Sequence, residues 1–222
     1  MPTDGSKPAR TGAEPSLNCD FCPRLSAFIG LNRSKEPNWH NAPVLSFGSP
    51  AARLLIVGLA PGLQGANRTG RPFTGDHAGI LLFETLLAFG FAAGTYEARS
   101  DDGLTLPDAM ITNSVRCVPP ENKPTPAEIK TCRQFLVNRI HALPNLRAIV
   151  VLGRVAHDST VAALAHKQSA FPFAHGARHD IKPGLAVFDS YHCSRYNTNT
   201  GVLTPQMFRD VFASVKAYLS PT

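Results

Sequence analysis

The fold of this chain is decided by residues 52–89, ARLLIVGLAPGLQGANRTGRPFTGDHAGILLFETLLAF. The segment 52–58 is short, largely apolar and bounded by glycine, which predicts a buried strand. A long glycine-rich loop follows, and the segment 80–89 then has the broad apolar face of a packed helix that ends at Gly90. A strand, a loop and a helix in this order indicate an α/β fold.

The same alternation continues along the chain. Three more strands are predicted over residues 108–117, 147–153 and 184–194. Helices follow the second and third strands and close the chain. The first of these helices begins with the capping box TPAE at 125–128, and the last begins after Thr204. This order predicts a central, mostly parallel, four-stranded sheet flanked by helices.

The chain is expected to form one domain, because 222 residues suffice for a single substantial core. Residues 1–16 are rich in proline and glycine and contain no apolar run. We therefore expect a disordered N-terminal tail over residues 1–16, followed by the domain over residues 17–222. Within that domain, residues 23–51 are expected to form an irregular covering segment.

The composition indicates a globular protein with a polyanionic partner. Apolar residues make up 43% of the chain and charged residues 17%, which suits a globular enzyme rather than a disordered chain. The formal net charge of +6 favours nucleic acid as a partner, because cationic side chains that contact phosphates release counterions. The sequence contains no apolar run near the roughly 20 residues that span a bilayer, and no signal-peptide core. We therefore expect a cytoplasmic protein without a membrane partner.

The loop after the first strand lacks the two common phosphate-binding patterns, G-x-x-x-x-G-K-[ST] and G-x-G-x-x-G. It carries Phe73 and Asp76 instead, while the second and fourth strands lead to Asn113 and His192. Ligands of parallel sheets bind beyond the carboxyl ends of the strands, so these side chains are expected to share one site. An aromatic face, an amide and a histidine suit a planar polar heterocycle such as a nucleobase.

The cysteines indicate a second site. Cys19 and Cys22 form a C-x-x-C pair, Cys117 ends the second strand, and Cys132 lies on the helix that follows. In a reducing compartment such a set favours a metal site over disulfides. Four thiolates suit either zinc or a [4Fe–4S] cluster, and their spacing leaves both open. The remaining alternative is that Cys117 and Cys132 are buried small hydrophobes, as is expected for Cys193.

Four segments carry a family resemblance: GLAPGLQGANRTGRPFTGDHAG (58–79), TNSVRCVPPENKPTPAEIKTC (112–132), LGRVAHDS (152–159) and HCSRYNTNTGVLTPQMF (192–208). Together with the four cysteine positions, they resemble the uracil-DNA glycosylase superfamily, and most closely its type B (family 5) iron–sulfur branch. The sister type A (family 4) enzymes carry Glu where this chain has Leu59, and they lack the insertion Asn67-Arg68-Thr69. Both departures favour type B.

The resemblance implies a DNA glycosylase that flips a deaminated base out of DNA and hydrolyses its N-glycosidic bond, which starts base excision repair. Uracil and other deaminated bases, hypoxanthine among them, are the implied substrates, and a monomer is expected. The resemblance also implies that a structural [4Fe–4S] cluster is held by Cys19, Cys22, Cys117 and Cys132. Two alternatives stay open: a uracil-restricted type A-like glycosylase and, because Leu59 replaces a carboxylate, a catalytically silent iron–sulfur DNA-binding protein.

The resemblance further implies roles for the pocket residues. Phe73 would stack on the base, Asn113 would pair with its edge, and His192 would hydrogen-bond the oxygen on which negative charge develops. Asp76 would orient water or stabilise the sugar cation, and it also occupies the position of a helix N-cap. The implied catalytic set is Asp76, His192 and Asn113. Backbone contacts to the base are expected from Gly58, Leu59 and Ala60.

DNA contacts are implied at the loop after His192, where Arg195 or Tyr196 would enter the duplex. Four further cations flank the pocket segments and are candidates for phosphate contacts: Arg68, Arg71, Arg116 and Lys123.

Overall fold

The computed structural model describes residues 12–220, which form an α/β architecture around one six-stranded sheet. The strands are β1 (Phe47–Gly48), β2 (Leu54–Gly58), β3 (Ala109–Asn113), β4 (Ala148–Leu152), β5 (Arg178–Lys182) and β6 (Leu185–Ser190). Their spatial order is β1-β3-β2-β4-β6-β5. The α-helices are α1 (Pro23–Lys35), α2 (Ala66–Thr69), α3 (His77–Ala88), α4 (Pro126–His141), α5 (Arg154–Ala163), α6 (Arg195–Asn199) and α7 (Pro205–Leu219).

The predicted class, a single-domain α/β fold with a mostly parallel sheet, is confirmed. The four predicted strands are β2, β3, β4 and β6, which pair in parallel and are buried along their whole length. The predicted number of four strands was wrong, because an antiparallel strand is added at each edge. β1 has only two residues and β5 alternates exposed with half-buried positions, so neither contains the apolar run that marks a strand.

The core is built on both faces of the sheet. Alternate residues of a strand point to opposite faces, so Leu54 and Ile56 join the cluster that includes α3 and α7. Leu55 and Val57 join the cluster that includes α4 and α5. Helices on both faces leave the carboxyl edge of the sheet as the place where the loops after β2, β3 and β6 converge.

The prediction of an irregular segment over residues 23–51 was wrong for its first part, which forms α1. Pro23 lies in the first turn, where its missing N–H is not needed, and the helix buries Leu25, Ile29 and Asn32. This stripe is narrow and contains a polar residue, so the sequence carries no clear helical period here.

The predicted start of α4 is confirmed. The Glu128 N–H donates to Thr125 Oγ1 over 3.2 Å, and the Thr125 N–H donates to Glu128 Oε2 over 2.7 Å. This capping box fixes where the helix begins and therefore which turn carries Cys132, whose side chain is buried.

Residues 1–11 of the predicted tail lie outside the described residues. In the remainder of the tail, Glu14 forms ion pairs with Arg116, 2.9 Å from Oε2 to Nη1, and with Arg139. Within residues 12–220, no helix is long and apolar enough to cross a membrane.

Candidate active site

A cavity of about 450 Å³ opens at the carboxyl edge of the sheet. Its walls come from the loop after β2, the first turn of α3, the end of β3 and the segment after β6. Six of the predicted pocket residues line it together: Leu59, Ala60, Phe73, Asp76, Asn113 and His192. The volume is within the range of small-molecule sites.

Gly58, the last residue of β2, lies behind this wall. A Cβ atom at this position would lie 2.4 Å from Asn113 Oδ1 and 2.6 Å from Phe73 Cζ. The Gly58 carbonyl accepts a hydrogen bond from the Ser114 N–H over 2.9 Å. The missing side chain therefore provides the space in which the Phe73 ring and the Asn113 amide come together. Gly58 is not among the residues that line the cavity, so its position does not support the predicted backbone contact with the base.

Phe73 adopts a backbone conformation that L-residues rarely take, with φ of 55°. Its carbonyl accepts a hydrogen bond from the Tyr96 hydroxyl over 3.3 Å. Gly79 packs so closely that a Cβ there would lie 1.8 Å from the same carbonyl oxygen. The loop thus packs closely against α3, and Phe73, whose backbone conformation is strained, lines the cavity.

Asn113 presents an unsatisfied acceptor. The residue is 3% exposed, and its Oδ1 has no hydrogen-bond partner within residues 12–220. A buried carbonyl without a donor costs about 1–3 kcal/mol, which a ligand N–H in the cavity would recover. The amide therefore suits the edge of a planar heterocycle that offers an N–H.

His192 faces the same space from the other side. Its ring stacks on that of Phe73 with 6.0 Å between the centroids and 28° between the planes. Burial lowers the pKa of His192 below its usual value, although the charge of Asp76 acts in the opposite direction. A neutral imidazole retains one N–H donor, which suits the stabilisation of a developing oxyanion.

Asp76 is the N-cap of α3 and also lines the cavity. As the N-cap of α3, its Oδ1 accepts a hydrogen bond from the Gly79 N–H over 3.2 Å. Its Oδ2 faces the glycine loop, since a Cβ on Gly65 would lie only 2.5 Å from it. One oxygen therefore caps the helix while the carboxylate remains part of the cavity wall.

Sequence reasoning missed four polar residues that also line the cavity, namely Gln64, His77, Asn122 and Ser194. The Nδ1 atom of His77 is buried and has no hydrogen-bond partner among the described residues. The position of His77 directly after the predicted site residue Asp76 could have indicated that it lies at the cavity. Asn122 has φ of 58° and belongs to the turn after β3, which brings it back to the cavity.

The predicted DNA contacts divide into exposed and buried groups. Arg68, Lys123, Arg195 and Tyr196 are exposed, and Arg195 lines the mouth of the cavity. Arg71 and Arg116 are 4% and 1% exposed, so the prediction that they contact phosphates was wrong. Arg71 forms a bidentate pair with Asp102, with both N–O distances 2.7 Å. Arg116 pairs with Glu14.

The four predicted metal ligands line one small apolar cavity, away from the active-site candidate: Cys19, Cys22, Cys117 and Cys132. Phe21 and Phe135 line it with them. Burial, together with Cys132, Glu128 and Cys19, raises the pKa of Cys22 to about 11. Burial and mutual repulsion disfavour the negatively charged thiolate forms of Cys22, Cys117 and Cys132. A cationic metal centre among the four cysteines would compensate that negative charge, so the set fits a metal site. Cys193 is buried elsewhere, as predicted, with its Sγ 3.5 Å from the Ala78 carbonyl oxygen.

Comparison with known proteins gives a consistent set of relatives. Residues 45–216 match the family model described as the Uracil DNA glycosylase superfamily. The chain is 43% identical over 204 residues to a Type-5 uracil-DNA glycosylase of Thermus thermophilus, which covers 89% of this chain and 92% of that protein. It is 36% identical over 205 residues to a Type-5 uracil-DNA glycosylase of Pyrobaculum aerophilum, covering 90% and 89%. A Type-4 uracil-DNA glycosylase of Thermotoga maritima is 34% identical over 139 residues, covering 62% and 58%.

Proposed function

Because the chain belongs to the uracil-DNA glycosylase superfamily, we propose that its cavity receives a uracil or hypoxanthine base flipped out of DNA. The enzyme is a hydrolase of N-glycosidic bonds, and the resemblance to Type-5 relatives predicted from the sequence is confirmed. One observation carries the substrate proposal: the buried Oδ1 of Asn113, next to the ring of Phe73, has no hydrogen-bond partner in the part of the chain that the structure describes. Uracil and hypoxanthine each offer a ring N–H beside a carbonyl, which this amide would pair with through both of its groups.

Base flipping brings the substrate to these groups. Rotating a base out of the duplex costs a few kcal/mol, and less at a mismatch such as one left by deamination. The ring of Phe73 would then replace the lost stacking, while backbone groups of Leu59 and Ala60 would contact base carbonyls. The selectivity for deaminated bases would come from the Asn113 amide, because a site built to hydrogen-bond rejects partners that leave its groups unpaired.

Hydrolysis breaks the bond between the base nitrogen and C1′ of the deoxyribose. The bonding electrons leave with the base, whose carbonyl oxygen gains negative charge, and the N–H of neutral His192 would stabilise that charge. Water then forms a bond to C1′, and the proton that it loses passes through solvent to the departing base, which is released in its neutral form. Asp76 would orient this water and stabilise the positive sugar through its carboxylate, whose Oδ2 lies against the glycine loop.

DNA would approach the open side of the cavity. Tyr196 is 73% exposed and directly follows Arg195 at the cavity mouth, so it is well placed to fill the gap that the flipped base leaves. Arg68, Arg195 and Lys123 would contact phosphates, in keeping with the net charge of +6. The monomeric state and the cytoplasmic location stay predictions.

We infer that the four cysteines around the small apolar cavity hold a [4Fe–4S] cluster. When bound, the cluster would supply structural cross-linking rather than redox chemistry. Cys19 and Cys22 precede α1, whereas Cys117 follows β3 and Cys132 belongs to α4, so the site would tie the N-terminal segment to the sheet and to α4. Brown protein with iron and sulfide after anaerobic purification is the expected result, and colourless protein containing zinc would contradict it.

The experiment that tests the function is alkali-revealed strand cleavage of duplexes that contain a single uracil or a single hypoxanthine. Release of both bases by the wild type, and loss of release in Asn113→Ala, is the expected result. Cleavage of uracil alone at high enzyme concentration would favour a uracil-restricted enzyme. No release of either base, with DNA binding intact, would favour a silent DNA-binding protein.

A further inference from the structure

His192 is carried by a short stretch of chain that lies beyond the regular sheet. β6 ends at Ser190, and the next two residues, Tyr191 and His192, have no neighbouring strand to pair with in the described sheet. Their position must therefore be set by other contacts. Tyr191 contacts residues 164–177, the covering loop, which connects α5 to β5, through His175 and Phe173. The His192 carbonyl accepts a hydrogen bond from Asn197 Nδ2 over 2.8 Å.

The covering loop is anchored to the end of β6 through Asp189. The carboxylate of Asp189 is fully buried and accepts hydrogen bonds from His157 Nδ1 over 2.7 Å and from the Ala174 N–H over 3.1 Å. His157 Nε2 lies 2.7 Å from the Phe171 carbonyl oxygen. The Gly176 N–H also donates to the Asp189 carbonyl over 2.9 Å. The covering loop is thus bound to Asp189 directly through Ala174 and Gly176, and indirectly through His157.

His175, on that anchored loop, contacts the stretch that carries His192. Its Nδ1 accepts a hydrogen bond from the Tyr191 N–H over 3.0 Å. Its ring stacks on the Tyr191 ring, with 4.8 Å between centroids and 19° between planes. An imidazole that accepts at Nδ1 carries its proton on Nε2 and is neutral.

We propose that His175 is a positioning residue, which sets the place of His192 by accepting the Tyr191 N–H. The proposal rests on the proposed role of His192 as the donor to the leaving base. Without the acceptor, the N–H of residue 191 loses its partner on the covering loop. The Tyr191 and His192 carbonyls keep their bonds from Ser190 Oγ and Asn197 Nδ2, which come from the same segment of chain as His192 itself. His192 would then depart from the Phe73 ring on which it now stacks. Displacements of about 1 Å at a reacting group cost up to about 100-fold in rate.

The test compares two variants that separate the hydrogen bond from the ring. His175→Phe keeps an aromatic ring against Tyr191 and removes the acceptor, whereas His175→Asn places an amide oxygen near the position of Nδ1. His166→Phe, on an exposed histidine of the same loop, is the matched control. The measurements are the single-turnover rate of uracil release, the DNA dissociation constant and the thermal midpoint.

We expect His175→Phe to lower the single-turnover rate about tenfold, equivalent to about 1.4 kcal/mol, with an unchanged dissociation constant for DNA. His175→Asn should recover most of the rate, and His166→Phe should match the wild type. In a His192→Gln background, His175→Phe should have no further effect, because its action passes through His192.

An unchanged rate in His175→Phe would overturn the proposal. So would a loss that His175→Asn fails to rescue and that parallels a fall in the thermal midpoint, since that pattern marks general structural support. Full activity in His192→Gln would overturn the catalytic role of His192 itself, and this proposal with it. Activity lost in His192→Gln and retained in His175→Phe would overturn only the positioning role.

Discussion

The rings of Phe73 and His192 stack over the candidate active site, with centroids 6.0 Å apart. One residue follows β2 and the other follows β6, so the pair joins two loops that are far apart in the sequence. Gly58 lies beneath Phe73, and the covering loop hydrogen-bonds Tyr191, the residue before His192. The site is therefore shaped by residues that never touch the substrate as well as by those proposed to do so.

Gly58→Ala should impair catalysis more than folding. The added methyl group would lie within 2.6 Å of both Phe73 and Asn113, so one of them must move out of the cavity wall. We expect a fall in single-turnover uracil release of about 100-fold, with destabilisation of about 1–3 kcal/mol measured by denaturation. Gly30→Ala is the control, because a Cβ at that exposed helical position meets no atom within 4 Å. Wild-type activity in Gly58→Ala would show that the close packing is not required.

Asp76→Asn should separate capping from catalysis. Asparagine caps helices about as well as aspartate, so the thermal midpoint should stay close to that of the wild type. The loss of the carboxylate charge should lower the single-turnover rate by about 100- to 10,000-fold. Asp76→Ala removes the cap as well and should lose about 1 kcal/mol of stability in addition. A fully active Asp76→Asn enzyme would leave Asp76 with the capping role alone.

Arg71 and Arg195 should respond to substitution in opposite ways. The bonds from Arg71 hold the pKa of Asp102 well below its usual range, and both side chains are buried. Arg71→Met should therefore cost about 3–5 kcal/mol of stability, because it leaves a buried carboxylate unpaired. Arg195→Ala should keep its stability and reduce the slope of log binding constant against log salt by about 0.9. An unchanged salt slope in Arg195→Ala would exclude a phosphate contact there.

His157 should make stability depend on pH. Burial opposes its charged form, but the hydrogen bonds to Asp189 and Phe171 outweigh burial and raise its pKa above the usual value. The charges facing it are those of Asp189 and Asp158, with His179 in ring contact. Its contribution is thus fully present below about pH 6.5 and is lost as the pH rises through the raised pKa.

The measurement is the thermal midpoint of the wild type and of His157→Gln at several pH values. The difference between the two proteins should be largest at acidic pH and should shrink towards alkaline pH. His166→Gln is the control and should follow the wild type throughout. A difference that grows with rising pH would mean that His157 is neutral in the folded protein.

Much of the candidate site was predictable, because the sequence shows where each buried strand ends and parallel strands all end at the same edge of the sheet. Three apolar runs that each lead into polar residues place Phe73, Asn113 and His192 at one edge of a parallel sheet, whatever the details of packing. The capping box at Thr125 likewise fixed the start of α4. Edge strand β5 and helix α1 escaped prediction, because their residues are only partly buried and carry no strong period.

Local patterns of apolar residues and side-chain chemistry were enough to predict the alternation of strands and helices, the parallel sheet, the edge at which the pocket lies and the four cysteines as candidate metal ligands. The packing of remote elements was needed to show that Arg71 and Arg116 are buried, that Gly58 lies beneath Phe73 and Asn113, and that His175 hydrogen-bonds the residue before His192. The physical reason is that burial and contact between remote residues depend on how whole elements pack, and a residue's type carries no record of that packing.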